Sequence, residues 1–184
     1  MSLLKLKMPG WTNPKLVRFT ARPTIEIGGR KYSISRYGNQ WWMTENLALN
    51  IGTNYTPLNG EYGLLYEYNS TIPTLSSYIP VGWRVPSKSD FETLLSILGT
   101  TPADWFLPEF DGNNSTGFGL AKTGYISSTG EYKKANETAY IWSTTLYITN
   151  ENYNFYAGEN IVAANDSGKT TVTKLSIRLV KDAT

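Results

Sequence analysis

The chain has 184 residues, with 17 Lys and Arg against 15 Asp and Glu, so its net charge is only +2. It has no cysteine and no histidine, which excludes disulfides, thiol nucleophiles, thiolate metal sites and the commonest general base. The length predicts one domain, the composition favours a binding or structural protein over an enzyme, and the small charge gives no reason to expect a nucleic-acid partner.

Residues 1–24 differ in composition from the rest of the chain. They hold five basic residues, no acidic residue and three prolines, which prevent a continuous helix. We predict an extended basic arm here, followed by one domain over residues 25–184. The arm is either a first strand with a loose terminus or an attachment and oligomerisation arm, because it is too apolar for a solvated tail. Its apolar residues are Leu3, Leu4, Leu6, Trp11, Leu16, Val17 and Phe19.

Alternation of apolar and polar residues predicts strands at the start of the domain. Ile25 and Ile27 precede Gly28-Gly29, and Tyr32 and Ile34 follow, which is typical of a β-hairpin with a two-residue turn. The segments 41–43 and 63–68 are further strand candidates.

The clearest helix in the sequence spans residues 88–98. Ser87 is placed to cap its N-terminus, with Asp90 in the acidic position of a capping box, and Gly99 follows the last turn. Apolar residues recur at i, i+3, i+4 and i+7, which predicts one buried stripe. These residues are Phe91, Leu94, Leu95 and Leu98.

Beyond the helix we predict a loop over residues 100–116 and then strands and turns. The strand candidates are 117–125, 131–134, 139–147, 152–156 and 173–180. In the last of these, Leu175, Ile177 and Leu179 alternate with Lys174, Ser176 and Arg178, so we expect the face with the three aliphatic residues to be the buried one.

Several segments, taken in order, resemble one known family, the Fibrobacter succinogenes major paralogous domain. The resemblance covers roughly residues 25–182. The matching segments are YGNQWWMTENL at 37–47, GLLY at 63–66, PVGWRVPS at 80–87, TGFG at 116–119, IWSTT at 141–145 and LSIRLVKD at 175–182.

This resemblance implies an α+β, C-type-lectin-like fold with a twisted antiparallel sheet, one or two helices and long loops. Leu179 stands where the family often has a cysteine, so the family's usual disulfide cannot form. We expect Trp42, Trp83 and Trp142 to centre the core, because an indole combines a large apolar surface with a single donor.

Two loop features suggest chemistry but have simpler interpretations. Glu109 and Asp111 could form a catalytic carboxylate pair, although acids in a Gly- and Asn-rich loop are more often turn residues. The segment from Asp111 to Asn114 offers oxygen ligands for calcium but lacks the spacing of an EF-hand loop. We favour the turn interpretation for both, and predict no metal and no cofactor.

The segment from Tyr147 to Asp166 is the candidate ligand-binding surface. Tyrosine gives a rigid contact at low entropy cost and asparagine gives adaptable hydrogen bonds, a combination that antibody binding sites use. An ordinary Asn-rich hairpin and loop is the alternative, and both interpretations stay open. The candidate binding residues are Tyr147, Asn150, Asn152, Tyr153, Asn154, Tyr156 and Asn160.

We therefore expect a non-enzymatic binding module. The sequence shows no secretory signal and no membrane span, which favours synthesis in a cytoplasm without membrane insertion. A bacteriophage virion component fits this pattern, as a fibre or spike tip or a capsid decoration. Its partners would be a glycan or protein of the host surface, other virion proteins through the arm, and sister copies in a homo-oligomer, with a trimer expected. A bacterial cell-surface or secreted adhesin is the alternative.

Overall fold

The computed structural model describes residues 22–183, without the side chains of residues 165–167. The predicted arm and its apolar residues therefore lie outside the described residues, apart from its last three positions. The arm and its boundary stay predictions. No helix in the described range is long and apolar enough to cross a membrane.

Residues 22–183 form twelve strands, three α-helices and two short 3-10 helices at Leu58–Gly60 and Pro108–Phe110. The α-helices are α1 (Tyr68–Leu75), α2 (Lys88–Leu98) and α3 (Pro102–Trp105). The strands are β1 (Thr24–Ile27), β2 (Arg30–Tyr37), β3 (Gln40–Met43), β4 (Asn54–Tyr55), β5 (Leu65–Glu67), β6 (Tyr125–Ile126), β7 (Tyr132–Lys133), β8 (Ala139–Ile148), β9 (Glu151–Ala157), β10 (Val162–Thr170), β11 (Lys174–Leu175) and β12 (Val180–Asp182).

These strands form three antiparallel sheets, so the fold is α+β with few helices. Their orders are β1-β2-β3-β12, β10-β9-β8 and β4-β5-β11-β6-β7. The C-terminal strand β12 pairs with β3, with Val180 opposite Trp42. The end of the chain is thereby hydrogen-bonded to a strand near the start of the domain.

The predicted hairpin and the predicted helix are both confirmed. β1 and β2 pair across Gly28 and Gly29, whose positive φ values of 58° and 80° suit the turn that joins two tightly paired strands. α2 begins and ends at the predicted residues, and both hydrogen bonds of the capping box are present between Ser87 and Asp90.

Several elements differ from the sequence prediction, among them α3, which lies in the predicted loop over residues 100–116. The strand predicted at 117–125 is wrong, because Gly117 and Gly119 adopt φ values of 69° and 66°, and only β6 remains at its end. Helix α1 was not predicted, since it contains Pro73 and β-branched residues that disfavour helices. β10 was not predicted because its sequence is mostly small and polar, and its pairing with β9 contains two register irregularities.

Two hydrophobic clusters make up the core, and several strands run between them. In β8, Ile141 packs in the first cluster while Tyr140 and Trp142 pack in the second, because successive side chains of a strand point to opposite faces. The first cluster centres on Trp42, Phe91, Trp105, Phe118 and Phe155. The second centres on Tyr66, Trp142, Leu175, Ile177 and Leu179.

The tryptophan prediction is confirmed for two of its three residues. Trp42 and Trp142 are fully buried, whereas Trp83 is only partly buried against the second cluster. The third fully buried indole is Trp105, which lies in the segment predicted as a loop and donates from Nε1 to the Gly99 carbonyl oxygen at 3.1 Å. In the predicted helix stripe, Phe91 and Leu94 are buried, and Leu95 and Leu98 pack partly buried against the first cluster.

The C-terminal segment is buried on both faces and not only on the predicted one. Leu175, Ile177 and Leu179 are fully buried, as expected. Ser176 and Arg178 on the opposite side are also buried, at 1% exposure each, because the segment runs between the two clusters. The continuous strand predicted here is interrupted between β11 and β12.

Candidate functional site

The hairpin of β8 and β9 is fixed at its base to the start of α2. The Thr144 N–H donates to the Pro86 carbonyl oxygen at 2.8 Å. The Lys88 N–H donates to Oγ1 of Thr145 at 2.9 Å. Since Ser87 caps the same helix, the base of the hairpin is held by both backbone and side-chain hydrogen bonds.

Beyond this base the hairpin exposes apolar side chains on both of its faces. Leu146, Tyr147 and Ile148 are 62%, 44% and 54% exposed, and the turn at Asn150 follows with a φ of 63°. The Thr171 N–H donates to the Asn150 carbonyl oxygen at 2.9 Å, which places the exposed Val172 beside the turn. We call Leu146, Tyr147, Ile148 and Val172 the hairpin surface.

The Tyr147 ring is held in place although it is exposed. It packs edge-on against Tyr153, with 5.0 Å between ring centroids. It also lies over Gly168 of β10, where an added Cβ would be 2.3 Å from Cδ1 of Tyr147. Lys88 Nζ lies 4.9 Å from the centre of the Tyr153 ring. A ring fixed in this way loses little entropy when a partner covers it.

The structure divides the seven predicted binding residues into three groups. Tyr147, Asn150 and Tyr153 lie near the tip of the hairpin. Asn152 and Asn154 are 3% and 0% exposed, so their side chains point into the protein and are not part of an exposed binding surface. Nδ2 of Asn152 donates to the Ser143 carbonyl oxygen at 3.3 Å.

Tyr156 and Asn160 lie at the opposite end of the same sheet. They line a cavity of about 660 Å³ together with Lys122, Lys134 and Glu159. The Tyr156 ring is 5.1 Å from the ring of the buried Tyr140. The seven residues therefore do not form one surface.

The next residues are those of the two loop features predicted as turns, the pair Glu109 and Asp111 and the segment from Asp111 to Asn114. Oε1 of Glu109 accepts from the Tyr62 hydroxyl at 3.3 Å, whereas Asp111 lines the 660 Å³ cavity. Oδ1 of Asn113 accepts the Ser115 N–H at 2.7 Å, and Oδ1 of Asn114 accepts the Gly119 N–H at 2.8 Å. These two oxygens bind backbone donors, as turn residues do.

Sequence reasoning missed Arg178 as a candidate residue. Its Nε donates to Oδ1 of Asn46 at 2.8 Å, and its two terminal nitrogens donate to the carbonyl oxygens of Phe118 and Gly119. Burial lowers the pKa of Arg178 to about 9, which still leaves the guanidinium cationic at neutral pH. The available signal was an arginine between Ile177 and Leu179, in a segment whose alternate residues are apolar, because charged residues are rarely buried without a specific role.

A cavity of about 230 Å³ opens above this arginine. Its lining includes Arg22 and Arg30, Glu45 and Glu61, and Gly63, Gly117 and Gly119. Burial would raise the pKa of Glu45, but the Ser33 N–H, donating at 2.8 Å, and the nearby Arg30 lower it. We call this the arginine cavity.

A model of the Fibrobacter succinogenes major domain family matches residues 36–181. The chain belongs to this family. No curated protein and no solved structure matches the chain. The matched range of this Fibrobacter succinogenes major domain begins at the end of β2 and contains Arg178, its three hydrogen-bond partners and the whole hairpin.

Proposed function

We propose that this Fibrobacter succinogenes major domain is a non-enzymatic binding module with a C-type-lectin-like fold, and that the hairpin surface contacts a partner protein on a bacterial cell. The observation that carries the proposal is the run of three consecutive exposed apolar residues, Leu146, Tyr147 and Ile148. Exposed apolar surface that is grouped, rather than scattered, marks sites of protein contact.

The chemistry of the hairpin surface favours a protein partner over a glycan. Leu146, Ile148 and Val172 are aliphatic and offer no hydrogen bond to a sugar, but they can be buried against an apolar protein surface. Tyr147 adds a rigid aromatic contact, the type of residue that contributes most to such interfaces. The hydrogen bonds to Pro86 and Lys88 at the base supply the preorganisation that binding needs.

The amino-acid composition and the contacts of two carboxylates support a module without catalysis. The chain has no histidine or cysteine to act as a base or nucleophile. Two of its carboxylates form structural hydrogen bonds: Asp90 accepts from Arg84 and Ser87, and Glu45 accepts from Ser33.

The proposal is tested by binding of the full chain to intact bacterial cells. The fluorescently labelled wild type is titrated on cells of the encoding strain and of strains from its habitat. The test variant carries L146S and I148S, and the control carries V81S, since Val81 is 95% exposed and lies outside the hairpin surface. We expect saturable binding by the wild type and the control, and about tenfold weaker binding by the double variant, the loss typical of a central contact.

Melting curves of the three proteins separate loss of binding from loss of folding. All three should melt at similar temperatures, because the substituted side chains are exposed. A double variant that binds as tightly as the wild type would contradict the proposal, as would a wild type that binds none of the cells.

The source of the protein stays a prediction from the sequence. Genes for portal, capsid or tail proteins beside this gene would support a virion component, and export genes would support a bacterial adhesin. The predicted trimer is tested by the mass of the full chain in solution, measured by light scattering.

A further inference from the structure

The side chain of Arg178, a buried cation, forms part of the lining of the arginine cavity. Arg178 is 1% exposed and donates to three neutral oxygens, on Asn46, Phe118 and Gly119. Among the described residues, no carboxylate forms an ion pair with it. A guanidinium has five N–H donors, so those three hydrogen bonds do not exhaust it. Buried charges are otherwise paired, because taking them out of water is costly.

Glu45, a carboxylate that lines the same cavity, already interacts with other residues. Its Oε1 accepts the Ser33 N–H at 2.8 Å, and its Oε2 lies 3.4 Å from the Arg30 guanidinium. The cavity lining contains three arginines and two glutamates, which leaves an excess of one positive charge. The cavity is therefore suited to a group with a single negative charge.

Three glycines are part of the lining of the arginine cavity. Gly117 and Gly119 both have positive φ, a conformation that larger residues rarely adopt. A Cβ at Gly117 would meet only the Tyr37 hydroxyl, at 3.8 Å, so there is free space beside the backbone. At Gly63, a Cβ would lie 2.7 Å from the Leu47 carbonyl oxygen, so the loop that forms the other wall must stay pressed against this segment.

We propose that the arginine cavity binds a small organic monoanion, a hydroxy acid or sugar acid that is either free or at the end of a glycan. Its carboxylate accepts hydrogen bonds from Arg178, and its hydroxyl groups donate to the carboxylate of Glu45, while Glu61 contributes only a negative charge to the lining. The volume of about 230 Å³ lies below the usual range of pockets for drug-sized ligands and fits a compact molecule. Two rim carboxylates would repel a phosphate dianion, which favours the monoanion. This site is separate from the hairpin surface and does not depend on the function proposed for it.

The first test observes the Arg178 side chain directly in the wild-type protein. Its Nε–H group, buried and hydrogen-bonded, should give a separate cross-peak in a ¹⁵N–¹H spectrum. Glycolate and glucuronate are titrated in, with glucose and acetamide as neutral controls and sodium chloride to match ionic strength. We expect saturable shifts of the Arg178 Nε–H and Asn46 amide peaks with the two carboxylates alone. Unmoved peaks, or equal shifts with chloride or the neutral compounds, would overturn the proposal.

The second test uses exposed residues at the rim, whose substitution leaves the fold intact. R30Q removes the cation that neutralises Glu45, so we expect about threefold weaker binding of glucuronate, while E61Q removes a negative charge and should give about twofold tighter binding. R36Q is the matched control, because Arg36 is exposed in the same strand as Arg30 but does not line the cavity. Equal effects of R30Q and R36Q, or weaker binding by E61Q, would contradict the assignment.

The same NMR titration on a terminal glucuronoside distinguishes the two ligand sources. A free acid as the ligand predicts that the methyl glucuronoside and glucuronate bind alike and that a longer glycan is excluded. A glycan terminus as the ligand predicts that a disaccharide ending in glucuronate binds at least as well as the monosaccharide. If neither glucuronate nor either glycoside shifts the Arg178 peak, the proposal is overturned.

Discussion

Nε of Arg178 and Oδ1 of Asn46 are joined by a 2.8 Å hydrogen bond between residues 132 positions apart in the chain. Nδ2 of Asn46 in turn donates to the Tyr62 carbonyl oxygen at 3.0 Å and to Oγ of Ser176 at 3.3 Å. One side-chain pair therefore connects the segment after β3, the loop before β5 and the C-terminal segment. Each of these three segments contributes residues to the lining of the arginine cavity.

The first prediction concerns the shape of the Arg178 side chain. R178K keeps the charge, but an ammonium cannot reach Asn46, Phe118 and Gly119 together, so buried acceptors are left without donors. We expect the free energy of unfolding to fall by about 3 kcal/mol, measured by urea denaturation. R36K is the control and should change it little, since Arg36 is exposed. A loss in R178K no larger than that in R36K would show that the guanidinium fork does not hold these segments.

In the C-terminal segment, the sequence indicated which apolar residues are buried but not which polar residues are. Alternation correctly predicted that Leu175, Ile177 and Leu179 would be buried, because one face of a strand packs on a core. It gave no indication that Arg178, at an alternate position, would be buried as well. Both faces are buried because the segment runs between the two hydrophobic clusters, and the cluster on the Arg178 side is built from distant residues such as Phe118.

The second prediction concerns the pH dependence of stability through Asp90. Burial would raise the pKa of Asp90, but hydrogen bonds from Arg84 and Ser87 outweigh it and lower that pKa to about 2. A carboxyl whose pKa is lower in the folded state stabilises the protein above its unfolded pKa, and this contribution is lost as the pH falls toward 2. We expect D90N to lower the free energy of unfolding by about 2 kcal/mol at pH 7.

The pH profile separates this effect from a general weakening of α2. The difference between wild type and D90N should shrink between about pH 5 and pH 2, because the wild type loses the same contribution there. E92Q is the matched control on the same helix, since Glu92 is exposed. A difference that stays constant over this range would show that the Asp90 charge is not the cause.

Local sequence signals predicted both ends of α2 correctly, whereas they did not predict which residues of the hairpin are exposed. A cap, an apolar stripe and a terminal glycine lie within a few positions of one another, so they are readable from one sequence. Tyr147 and Asn154 belong to the same candidate segment, but exposure of one and burial of the other follow from the packing of β9 between its neighbours. The distinction between contact residues and core residues was therefore not readable from composition.

The third prediction compares two tryptophans, Trp83, which was predicted to be in the core, and Trp105, which was not. Trp105 is fully buried, with its ring 5.3 Å from that of Phe118 and 5.4 Å from that of Phe155. W105A should cost about 4 kcal/mol, as large-to-small changes in a core do, and W83A about half as much because Trp83 is only partly buried. Denaturant titration of both variants gives the comparison. A larger loss in W83A would mean that the second cluster depends on Trp83 more than its burial indicates.

The fourth prediction tests whether Gly168 holds the Tyr147 ring. An added Cβ at Gly168 would lie 2.3 Å from Cδ1 of Tyr147 and 2.7 Å from Oε2 of Glu151, so in G168A the ring must move. We expect G168A to lower the free energy of unfolding by about 1 kcal/mol and to weaken cell binding. In a Y147A background the same change should cost almost nothing, because the clash with the ring is gone. A double-mutant cycle measures this coupling, which should be about 1 kcal/mol. If G168A costs the same with and without the Tyr147 ring, the strain comes from Glu151 or the β10 backbone, and Gly168 does not position the hairpin surface.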